Sequence, residues 1–463
     1  MKTLVIIGAG FSGTVSAIEF LRSAPQDSRL IIINRSGTVA RGLAYGTSSS
    51  RHLLNVPAGN MSAQVDNPNS FLEYCQACLP GTTSGSFVSR KLYGDYLASL
   101  LDSAEEEVKN RINIQRITAE VKTLKPYDQG SRIELISGKT IFADHVILAF
   151  GHFPPRTPAA LECILQTTQY IENPWSDSIT VGSAKDTSIL LLGSGLTALD
   201  VISSLGPLTL GNGKIYLLSR RGLLPLPHRT GKSSFLPPSS LQEELLSVAP
   251  TALSYLRVVK DHVKAGAASG LNWRDIVAAL RPITSLLWKR LPVHEQSRFL
   301  RHLQPYWDVH RHRVAPQTYE LFEQALTLEK IVPFAGRIKA VESASGKTLV
   351  TIEQRGNLGL KKIEVNLIIN CTGPNSNPGL IDEPLICQLI ADGLIAVDPL
   401  GLGLRVDDNL AVETRDTIPS DWLSYVGPML KANYWEATAV PELRLYASAL
   451  GRKIAGKFSA AQN

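Results

Sequence analysis

The chain has 463 residues, too many for one simple core and enough for two or three domains. Apolar residues make up 44% and charged residues 19%, which excludes a disordered chain, and no apolar run approaches the ~18 residues of a membrane span. A formal charge of +6 is too mild to call for nucleic acid, and five cysteines are too few for a disulfide framework.

The first predicted unit reads "LVIIGAGFSGTVSAIEFLRSAPQDSRLIIINRS". Residues 4–7 are a short apolar strand, followed by Gly8, Gly10 and Gly13 in GxGxxG spacing. A helix apolar at Val15, Ala17, Ile18 and Leu21 comes next, then a second strand at 30–33. In this βαβ context the first glycine allows the tight turn. The second lets a pyrophosphate approach the backbone, and the third lets helix and strand pack closely. Phe11 and Ser12 open a helix whose free N–H groups suit phosphate. The second strand ends in Asn34-Arg35, where an acid usually binds the adenosine ribose. Asn34 can still hydrogen-bond a hydroxyl, without the strengthening of a charge. A strand beginning at Thr3 leaves no room for a cleavable leader, so a cytoplasmic location is expected.

Cys75 and Cys78 form a CxxC late in an amphipathic helix beginning near Asn69. A redox pair needs an electropositive helix N-terminus, so these are read as half-buried helix residues. An apolar strand, "HVILAFG", ends at Gly151.

A second unit begins at "TSILLLGSGLTALDVISSLG": a strand at 188–192, then Gly193, Gly195 and Ala198 as GxGxxA, with Leu196 and Thr197 opening the helix. Ser219 lies 26 residues after Gly193, as Asn34 lies 26 after Gly8. The second unit therefore ends in Ser219-Arg220-Arg221 where an adenosine ribose would lie. There is no acid for a free 2′-hydroxyl, and guanidinium forks match a 2′-phosphate. Two such units predict an α/β fold with two Rossmann-like dinucleotide-binding domains, the first for FAD and the second for NADPH.

Residues 235–325 read as a helical insertion in the second domain. It ends in "RFLRHLQPYWDVHRHRVAP", either a cap for an anionic or flat substrate or a lid with solvated cations. His310 and His312 are two apart, off a common helix face, so no metal centre is expected. Cys371, after the apolar strand "NLIIN", reads as a small buried residue. The expected domains are 1–155 and 336–463 for FAD, with 156–335 between them for NADPH.

The stretches "GAGFSG", "RGLAYGT", "HLLNVPAGNMSA", "SRKLYGDYL", "VILAFGHFPP", "LLGSGLTALD", "LSRRGLLPLPH", "IINCTGPNSNPGL" and "WEATAVPELR" cover nearly the whole chain. In them the sequence resembles the bacterial FAD/NAD(P)-binding proteins of the YdhS-like group, relatives of the NADPH-dependent flavin monooxygenases. The resemblance implies that Arg41, Tyr45, Asn55 and Met61 run alongside the FAD. Gly151, Thr372 and Gly373 would sit where the chain crosses between the cofactor domains. Glu436 and Val440 would stand at the start of the last helix, against the flavin pyrimidine edge. Relatives carry Asp after the glycine of the preceding turn, where this chain has Pro428. The expected activity is that of an FAD-dependent, NADPH-reduced monooxygenase using molecular oxygen, hydroxylating a small molecule through a flavin hydroperoxide. The alternatives are an NADPH:acceptor reductase and a non-catalytic flavin-binding interaction protein. No catalytic triad or carboxylate pair stands out.

Overall fold

The computed structural model describes residues 1–463 except 129, 176–185, 208–210, 230–239, 345, 357–358 and 462–463. The expected start of the insertion, 235, lies outside the described residues.

The strand Thr3–Ile7 is buried along its whole length. It pairs in parallel with Arg29–Asn34 on one side and His145–Leu148 on the other. Asn113–Thr118 extends the sheet beyond Arg29–Asn34, and Pro419–Tyr425 with Ala411–Glu413 complete its far edge. Aliphatic residues fill both faces of the central strands, as a parallel sheet covered on both sides requires. The helix Phe11–Ser23 lies between this sheet and the last helix, Val440–Ala460. Ser16 Oγ donates to Ala447 O at 3.0 Å across that contact. A Cβ at Gly451 would come within 2.5 Å of Ser16 O, so the two backbones touch through a missing side chain. A separate antiparallel meander, Val121–Tyr127, Gly130–Leu135 and Thr140–Ala143, leads into the crossing strand.

The second sheet is built on Ile189–Leu192, flanked in parallel by Ile215–Ser219 and Leu367–Asn370. Ile331–Ala344 follows Ile215–Ser219 in parallel, and Lys347–Gln354 and Leu360–Val365 add an antiparallel edge. Sheet membership thus differs from the expected division at 335. That point falls inside the strand Ile331–Ala344, and the chain rejoins the first sheet only at Ala411. The reason is register: Leu367–Asn370 aligns with Ile189–Leu192, so the chain returns through the second sheet before leaving it.

Between Ser219 and Ile331 the chain forms the helices Ser240–Ser247, Ala252–Ala268, Trp273–Ala279, Thr284–Arg290, Val293–His302 and Gln304–Arg311. The next helix, Pro316–Thr327, buries Phe322 and Ala325 in the core of the second unit. It is the crossover of a parallel βαβ unit, so the insertion ends before it.

The insertion is fastened on both sides. Toward the first unit, the Trp288 and Trp435 rings lie 4.5 Å apart, and Trp288 Nε1 donates to Ala432 O at 3.0 Å. Arg281 pairs with Glu442 at 2.5 Å. Toward the second unit, Arg221 donates to Arg301 O and Arg229 pairs with Asp275. The two units also meet directly. Arg90 pairs with Asp200 at 2.8 Å with both side chains nearly sealed from solvent. His52 bridges Thr47 Oγ1 and Ser204 Oγ, each at 2.7 Å. No described helix is long and apolar enough to cross a membrane.

Candidate cofactor site

A cavity of about 480 Å³ opens at the carboxyl ends of the first sheet's strands. That is where ligands bind in open α/β sheets, because the chain diverges there to either side. Its floor is the turn Gly8–Gly10 and the start of the helix Phe11–Ser23, with Phe11 and Ser12 in the wall. Gly8 takes φ +107°, and a Cβ on it would lie 2.6 Å from Ala149 O, so only glycine fits. Gly13 is not in the wall. A Cβ there would sit 2.0 Å from Gly8 O, which identifies it as the close-packing glycine of the motif. A Cβ on Gly10 would meet nothing nearer than Gly42 Cα at 3.6 Å, on the cavity side. The helix N-terminus has no side-chain cap and no acid in its first turn. Its N–H groups and partial positive charge are left for an anion.

At the strand end, Asn34 lines the cavity, and its Nδ2 donates to Ser36 Oγ and Thr38 O, both at 2.9 Å, which fixes the amide. Arg35 also lines the cavity, but it is paired with Glu383 at 3.0 Å. The charge of Arg35 is therefore balanced by a residue 348 positions away. Glu120, between two strands, and Glu383, just before the helix Pro384–Ala391, both line the cavity, so carboxylates reach it from elsewhere in the chain. Arg41, paired with Asp95 at 2.5 Å, precedes the short helix Gly42–Tyr45, which also lines the cavity; the Tyr45 ring lies 4.6 Å from that of Tyr93. Burial pushes the Tyr45 phenol up to about 12, so it remains a neutral donor.

The opposite wall is formed by Phe150, Gly151, His152, Pro428, Thr438 and Val440. The last helix begins at Val440, with Pro in its first turn and no side-chain cap. A second uncapped N-terminus thus faces the same cavity. The residues fit an FAD: one helix end for the pyrophosphate, acceptors for a ribose, and another helix end for a ring that gains negative charge on reduction.

Several expected contacts lie elsewhere. Met61 is in the hydrophobic core. Asn55 is at the junction of the units, its carbonyl 2.8 Å from His228 Nε2. Glu436 is buried and turned toward the insertion, accepting from Trp307 Nε1 at 3.1 Å and pairing with Arg311 at 3.0 Å. Glu120, His152, Glu383 and Thr438 were not singled out as cofactor contacts from sequence. Only His152, directly after Gly151, carried a local signal.

The second unit repeats the first. Gly193 takes φ +96° and a Cβ there would lie 2.4 Å from Cys371 O, as Gly8 meets Ala149 O. Gly195 is open, and the helix Leu196–Leu205 begins after it, with Thr197 in its first turn, no side-chain cap and no acid there. Thr372 is held by Asn370 Oδ1, and Gly373, at φ +94°, has open space around it. Of the three strand-end residues, Ser219 Oγ accepts from Gly222 N at 3.0 Å. Arg221 is committed to Arg301 O and lies over the Tyr306 ring. Arg220 is exposed and makes no ion pair or hydrogen bond among the described residues. Cys75 is buried, Cys78 exposed, and neither lines the cavity. Burial pushes the Cys75 thiol up to about 11, the reverse of what a redox thiol needs.

Residues 5–153 match the family described as FAD-NAD(P)-binding. No curated protein matches the chain by sequence. Among solved structures, the chain shares its fold with the FAD-bound cadaverine monooxygenase of Erwinia amylovora, at 14% identity over 98% of this chain and 94% of that one, TM-score 0.64. It is similarly matched to the L-lysine 6-monooxygenase of Pseudomonas syringae, at 16% identity over 100% of both chains, TM-score 0.62. The bacillithiol disulfide reductase of Staphylococcus aureus also matches, at 12% identity over 99% of both chains, TM-score 0.54. Identities this low establish a shared fold.

Proposed function

With an FAD-NAD(P)-binding domain at residues 5–153, we propose that this chain is an FAD-dependent oxidoreductase reduced by NADPH, and a monooxygenase acting on a small molecule with molecular oxygen. We assign it to the cytoplasm. The observation that carries the reading is the pairing of two uncapped helix N-termini on one cavity, beside a second glycine unit of the same design. Bound there, FAD supplies the electron transfer and the activation of oxygen. The residues Gly8 to Ser12 hold its phosphates through backbone N–H groups. The start of the last helix stabilises the negative charge of the reduced ring. The short helix Gly42–Tyr45, in the cavity lining, would help to keep water from the bound cofactor. Arg220 is the exposed cation at the second strand end, and it selects NADPH over NADH.

The monooxygenase reading is favoured over the disulfide-reductase reading because Cys75 and Cys78 lie off the cavity. The two monooxygenases that share the fold act, by their names, on cadaverine and lysine. Primary amines are therefore the first compounds to screen. The test is to mix the FAD-loaded protein with NADPH without air, then admit oxygen with each compound in turn. Bleaching of the flavin followed by compound-stimulated oxygen uptake is expected. A flavin left oxidised by NADPH sinks the proposal.

A further inference from the structure

Four arginines converge where the second unit, the insertion and the first unit meet. Pro227 pairs with Val314, through His228 N to Val314 O and Val314 N to Leu226 O, both at 3.0 Å. That pairing brings Arg229 beside Arg311 and Arg313. Arg274 joins them from the insertion, its Nη2 and Nε donating to Pro227 O at 3.0 and 3.3 Å. His228 reaches across to Asn55 O on the first unit.

The charges do not balance. Asp275 holds Arg229, and Glu436 holds Arg311. No other carboxylate in the described structure pairs with this group, and residues 230–239, directly after Arg229, contain no Asp or Glu. Arg313 makes no hydrogen bond or ion pair among the described residues, and its Nε is sealed from solvent without a partner. Burial and the neighbouring arginines push Arg313 down to about 10 and lower Arg274 as well. A buried guanidinium donor without an acceptor is costly, and Asp275, which attracts Arg274 and Arg313 as well, is already paired with Arg229, so one carboxylate is shared among three cations that repel one another. A bound anion removes both costs.

We infer that Arg274 and Arg313 form an anion site, taking a carboxylate or similarly compact oxyanion on the molecule that is oxidised. The inference rests on the oxidoreductase reading and specifies its substrate as an anion. The position supports a substrate. Arg311 pairs with Glu436, two residues before Thr438 in the cavity wall, which ties the cluster to the cavity through a short stretch of chain. The strand end suited to a nucleotide 2′-phosphate is at Ser219-Arg220, and binding of NADP+ distinguishes the two sites.

Sodium malonate serves as the probe, titrated into the FAD-loaded protein at constant ionic strength with sodium chloride. The wild type should show a saturable rise in Tm with malonate above the chloride control. Arg313→Gln and Arg274→Gln should bind malonate roughly 10- to 100-fold more weakly. Without malonate, Arg313→Gln should melt at or above the wild type, because repulsion is relieved; an arginine with a structural role would lower Tm. Should the Gln variants not fold, Arg313→Lys keeps the charge but loses the fork, and must still weaken malonate. The Kd for NADP+ should be unchanged in Arg313→Gln and raised in Arg220→Ala. Absence of a malonate effect beyond chloride overturns the site. NADP+ binding weakened by Arg313→Gln as much as by Arg220→Ala overturns its assignment to substrate and makes it a cofactor phosphate site. None of these measurements needs turnover, so they stand or fall separately from the bleaching of flavin by NADPH.

Discussion

Two glycines of one motif should fail in different ways when given the same methyl group. At Gly13 the new Cβ would lie 2.0 Å from Gly8 O and 3.2 Å from Ala149 Cβ. Relief to an ordinary contact needs the helix Phe11–Ser23 to lift by roughly 1.5 Å, at about 1–3 kcal/mol or more. At Gly10 the backbone has φ −80°, open to any residue, and the new Cβ meets only Gly42 Cα at 3.6 Å. Its cost to the empty fold stays within about 0.5 kcal/mol. The methyl instead occupies the face where a pyrophosphate approaches, so the same 1–3 kcal/mol appears in binding, raising the FAD Kd roughly 5- to 150-fold. The assay is melting of the FAD-free protein together with FAD titration by fluorescence quenching. Gly10→Ala should melt within about 2 °C of wild type yet bind FAD weakly, whereas Gly13→Ala should melt several degrees lower even without FAD. Wild-type FAD affinity in Gly10→Ala would falsify the placement of the phosphate on this turn. An unchanged melting point in FAD-free Gly13→Ala would refute the packing argument.

Arg220→Ala should raise the KM for NADPH roughly 10- to 100-fold and leave NADH nearly unchanged, whereas Arg221→Ala should lower Tm through loss of its bond to Arg301 O. Equal effects of Arg220→Ala on both nucleotides would remove its role in selection. The double variant Cys75→Ala, Cys78→Ser should keep its rate of NADPH oxidation; a large loss would reinstate a thiol relay. His145 is buried, with Nε2 3.0 Å from Ser424 Oγ, and burial with Lys457 and Lys453 nearby pushes it down to about 3 from 6.5. Between those values the unfolded chain takes up a proton that the folded chain refuses. Stability is therefore full above the ordinary value and falls as pH drops, by at most about 1.4 kcal/mol per unit. Melting curves across this range should be steeper in pH for wild type than for His145→Gln, and parallel curves would refute the burial argument.

Both glycine loops were legible because their constraints are local. A turn, a helix start and a strand end fall within about 30 residues, and each residue type answers to its neighbours. The equal spacing of Asn34 and Ser219 from their loops marks equivalent strand ends, and the structure places both there. Glu383 was illegible, since nothing near it in sequence points to Arg35. Sheet membership is not legible for the same reason: a strand's composition does not say which partner it joins, and register decides. "NVPAGNM" suits a cavity wall or a packed loop equally well, and burial sends Met61 to the core. Glu436 is expected against the flavin from the resemblance, but Arg311 and Trp307, more than a hundred residues earlier, hold its carboxylate.

The insertion has a consequence for how electrons move. The Trp288–Trp435 ring contact and the Arg281–Glu442 pair anchor it to one unit, while the Arg221 and Arg229 bonds anchor it to the other. A strap tied at both ends resists rotation of one unit against its neighbour. With FAD and NADPH bound as proposed, the nicotinamide would meet the flavin across a gap that the strap holds fixed, and the rate at which oxidised nucleotide leaves, or moves aside, would become part of the enzyme's timing.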